Sequence, residues 1–259
     1  MDFLLQRCWH TSVLRENKDY IVSKTTYLDS WVERVAQLRM EIESLKIEKA
    51  WLERPGRPGN MVESREEIEG LQGVRAYLGS GSKIRQALRN VKDEMERFLI
   101  NDSVIGVIQA ESFLYRERGY DNAADYSRAW EEFYAGSCRY YSHLERVKTS
   151  WGDYIGLSAR EENLFDRFKN QQLYQDDKGG YLINASLIDS FHQVNTSLEL
   201  DNDMKVTAAH GQLLRVPDQV CRESTTQLAN IEGILLVGMS KKELAGLLGA
   251  GQGCVHLID

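Results

Sequence analysis

The chain has 259 residues, of which 42% are hydrophobic, a net charge of -7 at neutral pH and four cysteines. This length and apolar content suffice for one large or two small globular domains, and the lack of a basic excess argues against nucleic acid or an acidic membrane as a partner. The start of the chain lacks a signal-peptide pattern and no 18-residue apolar run occurs, so the sequence predicts a cytoplasmic protein with reduced thiols and no membrane span.

An internal repeat is the first pattern met along the chain. An offset of 160 residues aligns Asp29 with Asp189, and the two segments keep register for about 70 positions without a gap. This pattern predicts a tandem duplication in which residues 4–80 (copy 1) and 164–240 (copy 2) share one topology.

Each copy predicts strands followed by helices, because β-branched and aromatic residues precede helical spacing. The predicted strands are 8–14, 20–28 and 38–47 in copy 1, and 168–174, 181–188 and 197–206 in copy 2. The predicted helices are 63–71 and 83–90 in copy 1, and 222–231 and 241–248 in copy 2, with Ser82 and Ser240 as caps. Polar stretches at 16–19 and 176–180 suit hairpin turns.

Residues 91–144 have no counterpart in copy 2. Apolar side chains such as Ile105, Phe113, Trp130 and Tyr141 recur there at roughly helical spacing, which predicts a two-helix insertion. Its aromatic side either packs on its own domain or forms an interface with a protein partner.

The predicted fold is therefore α+β: a tandem duplicated small antiparallel sheet plus helices, with a helical insertion in the first copy. The corresponding domains are a degenerate first repeat at 1–90, the helical insertion and linker at 91–155, and the second repeat at 156–259. We expect the functional site in the second repeat.

The comparison of the two copies supports that expectation. His192 stands where copy 1 has Val32, and Cys221 stands where copy 1 has Met61. Only copy 2 contains a compact polar set, and its members are Asp189, His192, Cys221, Cys254 and His256. Because one copy of a duplicated protein commonly keeps a site while the other becomes scaffold, copy 2 is the candidate. The lone histidines His10, His143 and His210 are predicted to be structural or surface residues.

Three motifs of copy 2 resemble one known family. They are Val216-Pro-Asp-Gln-Val-Cys221, Gln227-Leu-Ala-Asn-Ile-Glu-Gly233 and Gly251-Gln-Gly-Cys-Val-His-Leu257. These motifs are similar to the Pro-x-x-x-Cys, Leu-x-Gly and terminal Gly-Cys-Thr-His-Leu elements of the bacterial family called domain of unknown function 2889. Asp189-Ser-Phe-His192 resembles that family's Asp-x-x-His element. The resemblance covers residues 164–259, and faintly 4–80, and implies no activity.

The order of these elements also resembles the NifU-like iron–sulfur assembly scaffolds. This resemblance implies that Asp189, Cys221, Cys254 and His256 ligate zinc or a labile iron–sulfur cluster. Two thiolates, an imidazole and a carboxylate form a plausible tetrahedral set, and a helix start at Cys221 would favour its thiolate. The implied function is a metal-handling or cluster-related bacterial accessory protein.

Other interpretations of the same residues stay open. Buried cysteines often act as small hydrophobic side chains, and Cys221 with His256 as its base could form a nucleophilic pair. The glycine-rich stretches 79–83 and 249–253 lack phosphate-loop spacing and predict helix-boundary turns. The alternative function is a non-catalytic interaction module that binds a protein partner through the helical insertion.

Overall fold

The computed structural model describes residues 1–56, 63–156, 160–249 and 251–259. These residues form nine strands and seven α-helices, so the protein is a mixed helix-and-sheet protein, as the sequence predicts. The strands are β1 Asp2–Arg15, β2 Tyr20–Asp29, β3 Glu33–Glu41, β4 Ile47–Arg54, β5 Ser64–Glu67, β6 Asn163–Gln175, β7 Tyr181–Asp189, β8 Gln193–Leu200 and β9 Val206–Arg215.

The α-helices are α1 Gly81–Ala87, α2 Glu94–Ala110, α3 Ala123–Tyr134, α4 Arg139–Ser142, α5 Trp151–Ile155, α6 Gln219–Arg222 and α7 Lys241–Leu248. Short 3₁₀ helices lie at Glu69–Leu71, Glu111–Phe113, Leu144–Arg146, Glu223–Ile231 and Val255–Leu257. Among the described residues, no helix combines the length and the apolar character that a membrane span needs.

The chain divides into two compact units. The N-terminal unit comprises Cys8–Ala123 and Leu157–Phe168. The C-terminal unit comprises Met1–Arg7, Ala124–Gly156 and Lys169–Asp259. Strands β1 and β6 each contribute residues to both units.

The sheet of the N-terminal unit has the order β5-β4-β3-β2-β1, and β2 to β5 pair antiparallel. Helix α2 packs on it through small and hydroxyl side chains. A methyl group added at Gly106 would lie 2.8 Å from Thr11 Cγ2, and the buried hydroxyl oxygens of Thr25 and Ser103 are hydrogen-bonded at 2.8 Å. Glycine therefore allows α2 to approach the strands closely.

The sheet of the C-terminal unit has the order β6-β7-β8-β9, and β7 to β9 pair antiparallel. A polar turn joins β6 to β7, where Asp176 N donates to Gly180 O at 2.9 Å, as the sequence predicts. One face of the sheet contributes Leu187, Val194 and Leu213 to a buried core. The helical segments after β9 complete that core, so they determine what is buried on this face.

The predicted strand at 38–47 is wrong in its extent. β3 ends at Glu41 and β4 begins at Ile47, with Leu45 in the left-handed region at φ 53° between them. Ile42 and Leu45 are buried, so the apolar alternation continues through the turn and hides it. The predicted strand at 197–206 is wrong in the same way, because β8 ends at Leu200 and β9 begins at Val206 with Met204 at φ 64° between them. The pattern therefore misses β4 and β9.

The predicted helix at 63–71 is also wrong in its first half. Ser64–Glu67 forms β5, which pairs with β4, and only Glu69–Leu71 is helical. Arg65, Glu66 and Glu67 are good helix formers, but so short a segment gains little from propensity alone, and the edge hydrogen bonds of a neighbouring strand outweigh it. Pairing with β4 therefore determines that this segment is a strand.

The predicted helices elsewhere occur. Residues 91–144 are helical, as their spacing predicts, but they contain the three α-helices α2, α3 and α4 where two were predicted. Ser240 caps α7 in a reciprocal capping box with Glu243, which is the arrangement expected for that residue pair. Ser82 lies inside α1, whose N-cap is Ser80 without a side-chain cap bond, so the cap predicted at Ser82 is wrong.

Candidate functional site

A tight turn between β7 and β8 organises the candidate site. Asp189 N donates to His192 O at 2.9 Å, and Asp189 Oδ1 accepts from Phe191 N at 2.8 Å and His192 N at 2.7 Å. A carboxylate at this position reproduces the hydrogen bonds of a backbone turn. The Asp-x-x-His element therefore holds His192 at the start of β8.

His192 is a buried histidine, with 8% of its surface exposed. Its Nδ1 lies 3.2 Å from Asp189 Oδ1, and its ring centroid lies 4.0 Å from that of His256. On another side the indole of Trp151 stacks at 6.1 Å. Packing on these sides restricts the imidazole to one orientation.

The glycine-rich C-terminal motif places His256. After α7, Cys254 N donates to Leu248 O at 2.9 Å, and a methyl group added at Gly253 would lie 1.9 Å from the same oxygen. Only glycine permits this close approach of two backbone segments. The chain then enters the 3₁₀ helix Val255–Leu257, which carries His256 to the His192 ring.

Asp189, His192 and His256 form the one group of potential metal ligands found among the described residues. One ligand atom from each lies within 4.8 Å of the others. The Asp189 side chain is completely buried, so a carboxylate and two imidazoles meet in a site with little solvent. Such a set can hold a divalent cation or share a proton.

The two buried cysteines lie in the hydrophobic core of the same unit. Cys221 and Cys254 both belong to the buried cluster that includes Val194, Leu228 and Leu257. Burial raises the pKa of each thiol to about 12, since an apolar environment disfavours the thiolate. At Cys221 burial outweighs any helix-start effect, so the favoured thiolate expected there is wrong.

Cys254 is nevertheless a neighbour of the histidine pair. Its Sγ lies 3.4 Å from His256 Nδ1, within the distance of a sulfur hydrogen bond. The thiol that His256 contacts is thus Cys254, two residues away. Cys221 lies in the core cluster and takes no part in the Asp189–His192–His256 group.

The Pro-x-x-x-Cys motif has a structural explanation in Asp218. Asp218 Oδ1 accepts from Val220 N at 3.0 Å, capping α6, while Oδ2 accepts from Lys148 N at 2.9 Å and Thr149 N at 3.1 Å. Burial alone would raise the pKa of Asp218, but these backbone donors hold it below its ordinary value. The motif thereby ties α6 to the segment before α5.

Three residues of the site escaped the sequence prediction. Trp151 packs edge-on against Phe191 at 5.1 Å. The Tyr154 hydroxyl donates to Phe191 O, and the Arg215 guanidinium donates to the carbonyl oxygens of the Asp189 turn. The sequence does contain a signal for helix α5, which carries Trp151 and Tyr154. Ser150 and Asp153 form an N-cap pattern, and in the structure Ser150 Oγ accepts from Asp153 N at 3.1 Å.

The remaining histidines lie elsewhere. His143 Nε2 is 3.2 Å from Gln252 Nε2, and His210 is exposed on β9. The expectation that His10 has no companion is wrong, because its Nε2 lies 2.9 Å from Asp166 Oδ1 and Phe168 stacks on its ring. Met61, the counterpart of Cys221 in copy 1, lies outside the described residues.

Comparison with known protein families gives one match, in the C-terminal part of the chain. Its fold is an antiparallel sheet backed by short helical segments, with a buried Asp-His-His group. Residues 166–259 match the family described as Protein of unknown function (DUF2889), which supports the resemblance that the sequence motifs indicate. Comparisons with the curated proteins and with the solved structures found no match.

Proposed function

We propose that the C-terminal unit binds a divalent transition-metal ion, with zinc as the first candidate, through Asp189, His192 and His256. The observation that carries this proposal is the grouping of their ligand atoms within 4.8 Å of one another. Imidazole and carboxylate ligands suit zinc, and two histidines with one carboxylate also suit iron(II). The proposed function is therefore metal handling at a buried site.

A shared ion sets the spacing of its ligand atoms. Ligand bonds of 2.0–2.1 Å place tetrahedral donor atoms about 3.4 Å apart, and the ligand atoms here lie within 4.8 Å of one another. His192 Nδ1 faces Asp189 and His256 Nδ1 faces Cys254. An ion would thus take Nε2 of His256, while the Cys254 thiol on Nδ1 orients that ring, as outer-shell groups do in known metal sites.

Three protein ligands leave a fourth position for water or for another ligand. Structural zinc sites commonly use four protein ligands, whereas sites that exchange ligands or perform chemistry keep one position open. This favours an accessory protein that handles a metal over a purely structural ion. The iron–sulfur scaffold role and ligation by Cys221 rest on the sequence resemblance.

Cobalt(II) titration of chelator-treated protein tests the proposal. We expect one equivalent to bind with visible d–d absorption, and zinc to displace it. His192→Ala and His256→Ala should each weaken binding by at least about tenfold, because one of three ligands is lost. His210→Ala, which removes an exposed histidine of the same unit, is the matched control and should bind normally.

The cobalt spectrum also distinguishes the two ligand sets. Thiolate ligation produces an intense near-ultraviolet charge-transfer band, and Cys221→Ser or Cys254→Ser would remove it. We expect that band to be absent, since neither thiol belongs to the Asp189–His192–His256 group. Binding that survives His192→Ala and His256→Ala would contradict the proposed site.

The alternative proposal is a protein-interaction role for the helical insertion. A specific observation favours it: Phe133 on α3 is 55% exposed, whereas Tyr126 and Trp130 on the same helix are buried. An exposed aromatic side chain of this kind is typical of a contact surface. Protein purified without oxygen that carries no zinc or iron would favour this alternative.

We also propose that the two copies arose by tandem duplication. The β3–β4 and β8–β9 turns each contain a left-handed non-glycine residue, Leu45 and Met204. Gly73 N donates to Ile47 O, and Gly233 N donates to Val206 O, both at 2.8 Å. The corresponding residues lie 159 or 160 positions apart, and two segments that share such uncommon backbone features favour a common origin.

A further inference from the structure

An open cleft lies on the sheet of the C-terminal unit. Its volume is about 680 Å³, and its lining comes from strands β6 to β9. The core residues Leu187, Val194 and Leu213 alternate with the lining residues along these strands. Because successive side chains of a strand point to opposite faces, the face opposite the core carries Asn184, Ser186, Asn195, Ser197, His210 and Gln212.

The strand register arranges the lining into two polar rows. One row is Asn184–Ser197–His210, and the other is Ser186–Asn195–Gln212. Neighbours within a row lie about 4.8 Å apart across strands, and the two rows are about 6.8 Å apart along them. Asn170 and Gln172 of β6 extend the lining. The result is a regular grid of amide and hydroxyl groups.

Three of the amide groups in this grid are unpaired among the described residues. The side chains of Asn184, Asn195 and Gln212 make no hydrogen bond to another residue in the part of the chain that the structure describes. Amide groups that paired in a closed network would serve packing. Here the donors and acceptors face an open space, where a ligand can reach them.

The lining is also uncharged. None of its eleven residues is Asp, Glu, Lys or Arg, although these types make up 27% of the chain. Anion sites use cationic side chains or helix N-termini, and cation sites use carboxylates. With only Ala185 and Gly211 as apolar lining, the cleft also offers little for a hydrophobic ligand.

The N-terminal unit shows that the sheet itself does not require this composition. The corresponding rows there are Lys24–Gln37–Trp51 and Thr26–Val35–Glu53. The Arg65 guanidinium covers the Trp51 ring at 4.8 Å, and its Nε lies 3.2 Å from Glu53 Oε1. On that face a charge is paired and an aromatic ring is covered by side chains of the same unit, whereas Asn184, Asn195 and Gln212 of the C-terminal unit have no such side-chain partner among the described residues.

We infer that the cleft of the C-terminal unit binds an uncharged, hydroxyl-rich ligand, namely a neutral oligosaccharide. Each sugar hydroxyl both donates and accepts, and each Asn or Gln side chain offers a donor and an acceptor on one planar group. The volume lies within the range of ligand pockets, and the openness of a sheet face suits a chain that extends beyond it. This inference does not depend on the proposed metal site.

The test is NMR titration of ¹⁵N-labelled protein with cellotetraose, maltotetraose and N,N′,N″,N‴-tetraacetylchitotetraose. At least one probe should shift the side-chain amide signals of Asn184, Asn195 and Gln212 at about 10 mM or below, the range of a weak specific site. Asn195→Ala should then weaken the affinity about tenfold, while Gln37→Ala, at the matching grid of the N-terminal unit, should leave it unchanged. The remaining backbone signals report whether the variants are folded.

Three results would overturn the inference. One is the absence of shifts in these amides with all three probes. The second is equal or tighter binding of tetragalacturonate, a charged sugar, or of a neutral Gly-Ser tetrapeptide. The third is an equal loss of affinity in Gln37→Ala and Asn195→Ala. The His192→Ala variant, which leaves the grid in place, should bind the sugar normally.

Discussion

The Asp29 turn and the Asp189 turn share their hydrogen bonds but differ in their surroundings. Asp29 Oδ1 accepts from Trp31 N at 2.7 Å and Val32 N at 2.8 Å, as Asp189 Oδ1 does from Phe191 N and His192 N. Trp31 is 66% exposed, whereas Phe191 is 3% exposed. The same local motif therefore forms a surface turn in one unit and part of a buried candidate site in the other.

This comparison separates two roles of the aspartate. The Asp29 turn has no histidine, yet its carboxylate makes the same two backbone hydrogen bonds. The carboxylate thus serves the turn first, and any metal ligation by Asp189 is an additional role. In the C-terminal unit, Trp151, Tyr154 and His256 pack on the turn residues Phe191 and His192 and bury them.

The largest difference in the free energy of unfolding is expected when the aromatic residue of each turn is replaced. Phe191→Ala should lower the free energy of unfolding by about 3–5 kcal/mol, because a buried ring is removed and leaves a cavity. Trp31→Ala should change it by less than about 0.5 kcal/mol, because its ring is in solvent. Urea unfolding followed by circular dichroism measures both. Similar losses would mean that the two turns are covered alike.

Substitution of the two aspartates should produce a smaller difference in the free energy of unfolding. Asp189→Ala leaves two backbone N–H groups buried without their acceptor and should cost about 2–3 kcal/mol. Asp29→Ala exposes the same groups to water and should cost about 1 kcal/mol. Asp189→Asn keeps an acceptor oxygen and should recover much of the loss in urea unfolding. If Asn is as damaging as Ala, the carboxylate charge, and not the turn, is what matters.

The smallest effect concerns the pH dependence of stability. The pKa of Cys221 and of Cys254 is raised to about 12 in the folded protein, against about 8.5 in an unfolded chain. The folded state then holds these protons more tightly, so the stabilisation is complete below about pH 8.5 and is lost as the pH rises towards 12.

The free energy of unfolding should fall by about 1 kcal/mol between pH 8 and 9 through the two thiols together. Urea unfolding at several pH values measures this slope, and the Cys221→Ala/Cys254→Ala double variant should flatten it. Leu228→Ala, a core substitution that removes no ionisable group, should lower stability at every pH and keep the slope. An unchanged slope in the double variant would place the titrating groups elsewhere.

Local patterns predicted many features of this protein. The hairpin turns, the end of β7 at Asp189, helix α7 with its Ser240 cap and the helical character of 91–144 all follow from short-range chemistry. The candidate histidines His192 and His256 were identified because Asp-x-x-His and Gly-Cys-x-His have specific spacings. Such spacings report hydrogen bonds and close approaches within a few residues, which a sequence displays directly.

The sequence did not show which of the candidate site residues are buried. Cys221 and Cys254 have the residue type of metal ligands, but their environment makes them protonated core residues. Trp151 and Tyr154 reach the Asp189 turn from a segment about 40 residues away along the chain, and no local pattern marks that contact.

The sequence alone thus determined which short segments turn, cap and carry ionisable groups, because those properties depend on neighbouring residues. The tertiary structure alone decided that Asp189, His192 and His256 meet, that the cysteines are buried and that one face of β6 to β9 stays uncovered. Each of these depends on solvent exclusion by distant segments, and the free energy of an ionisable or polar group changes with that exclusion far more than with its neighbours in sequence.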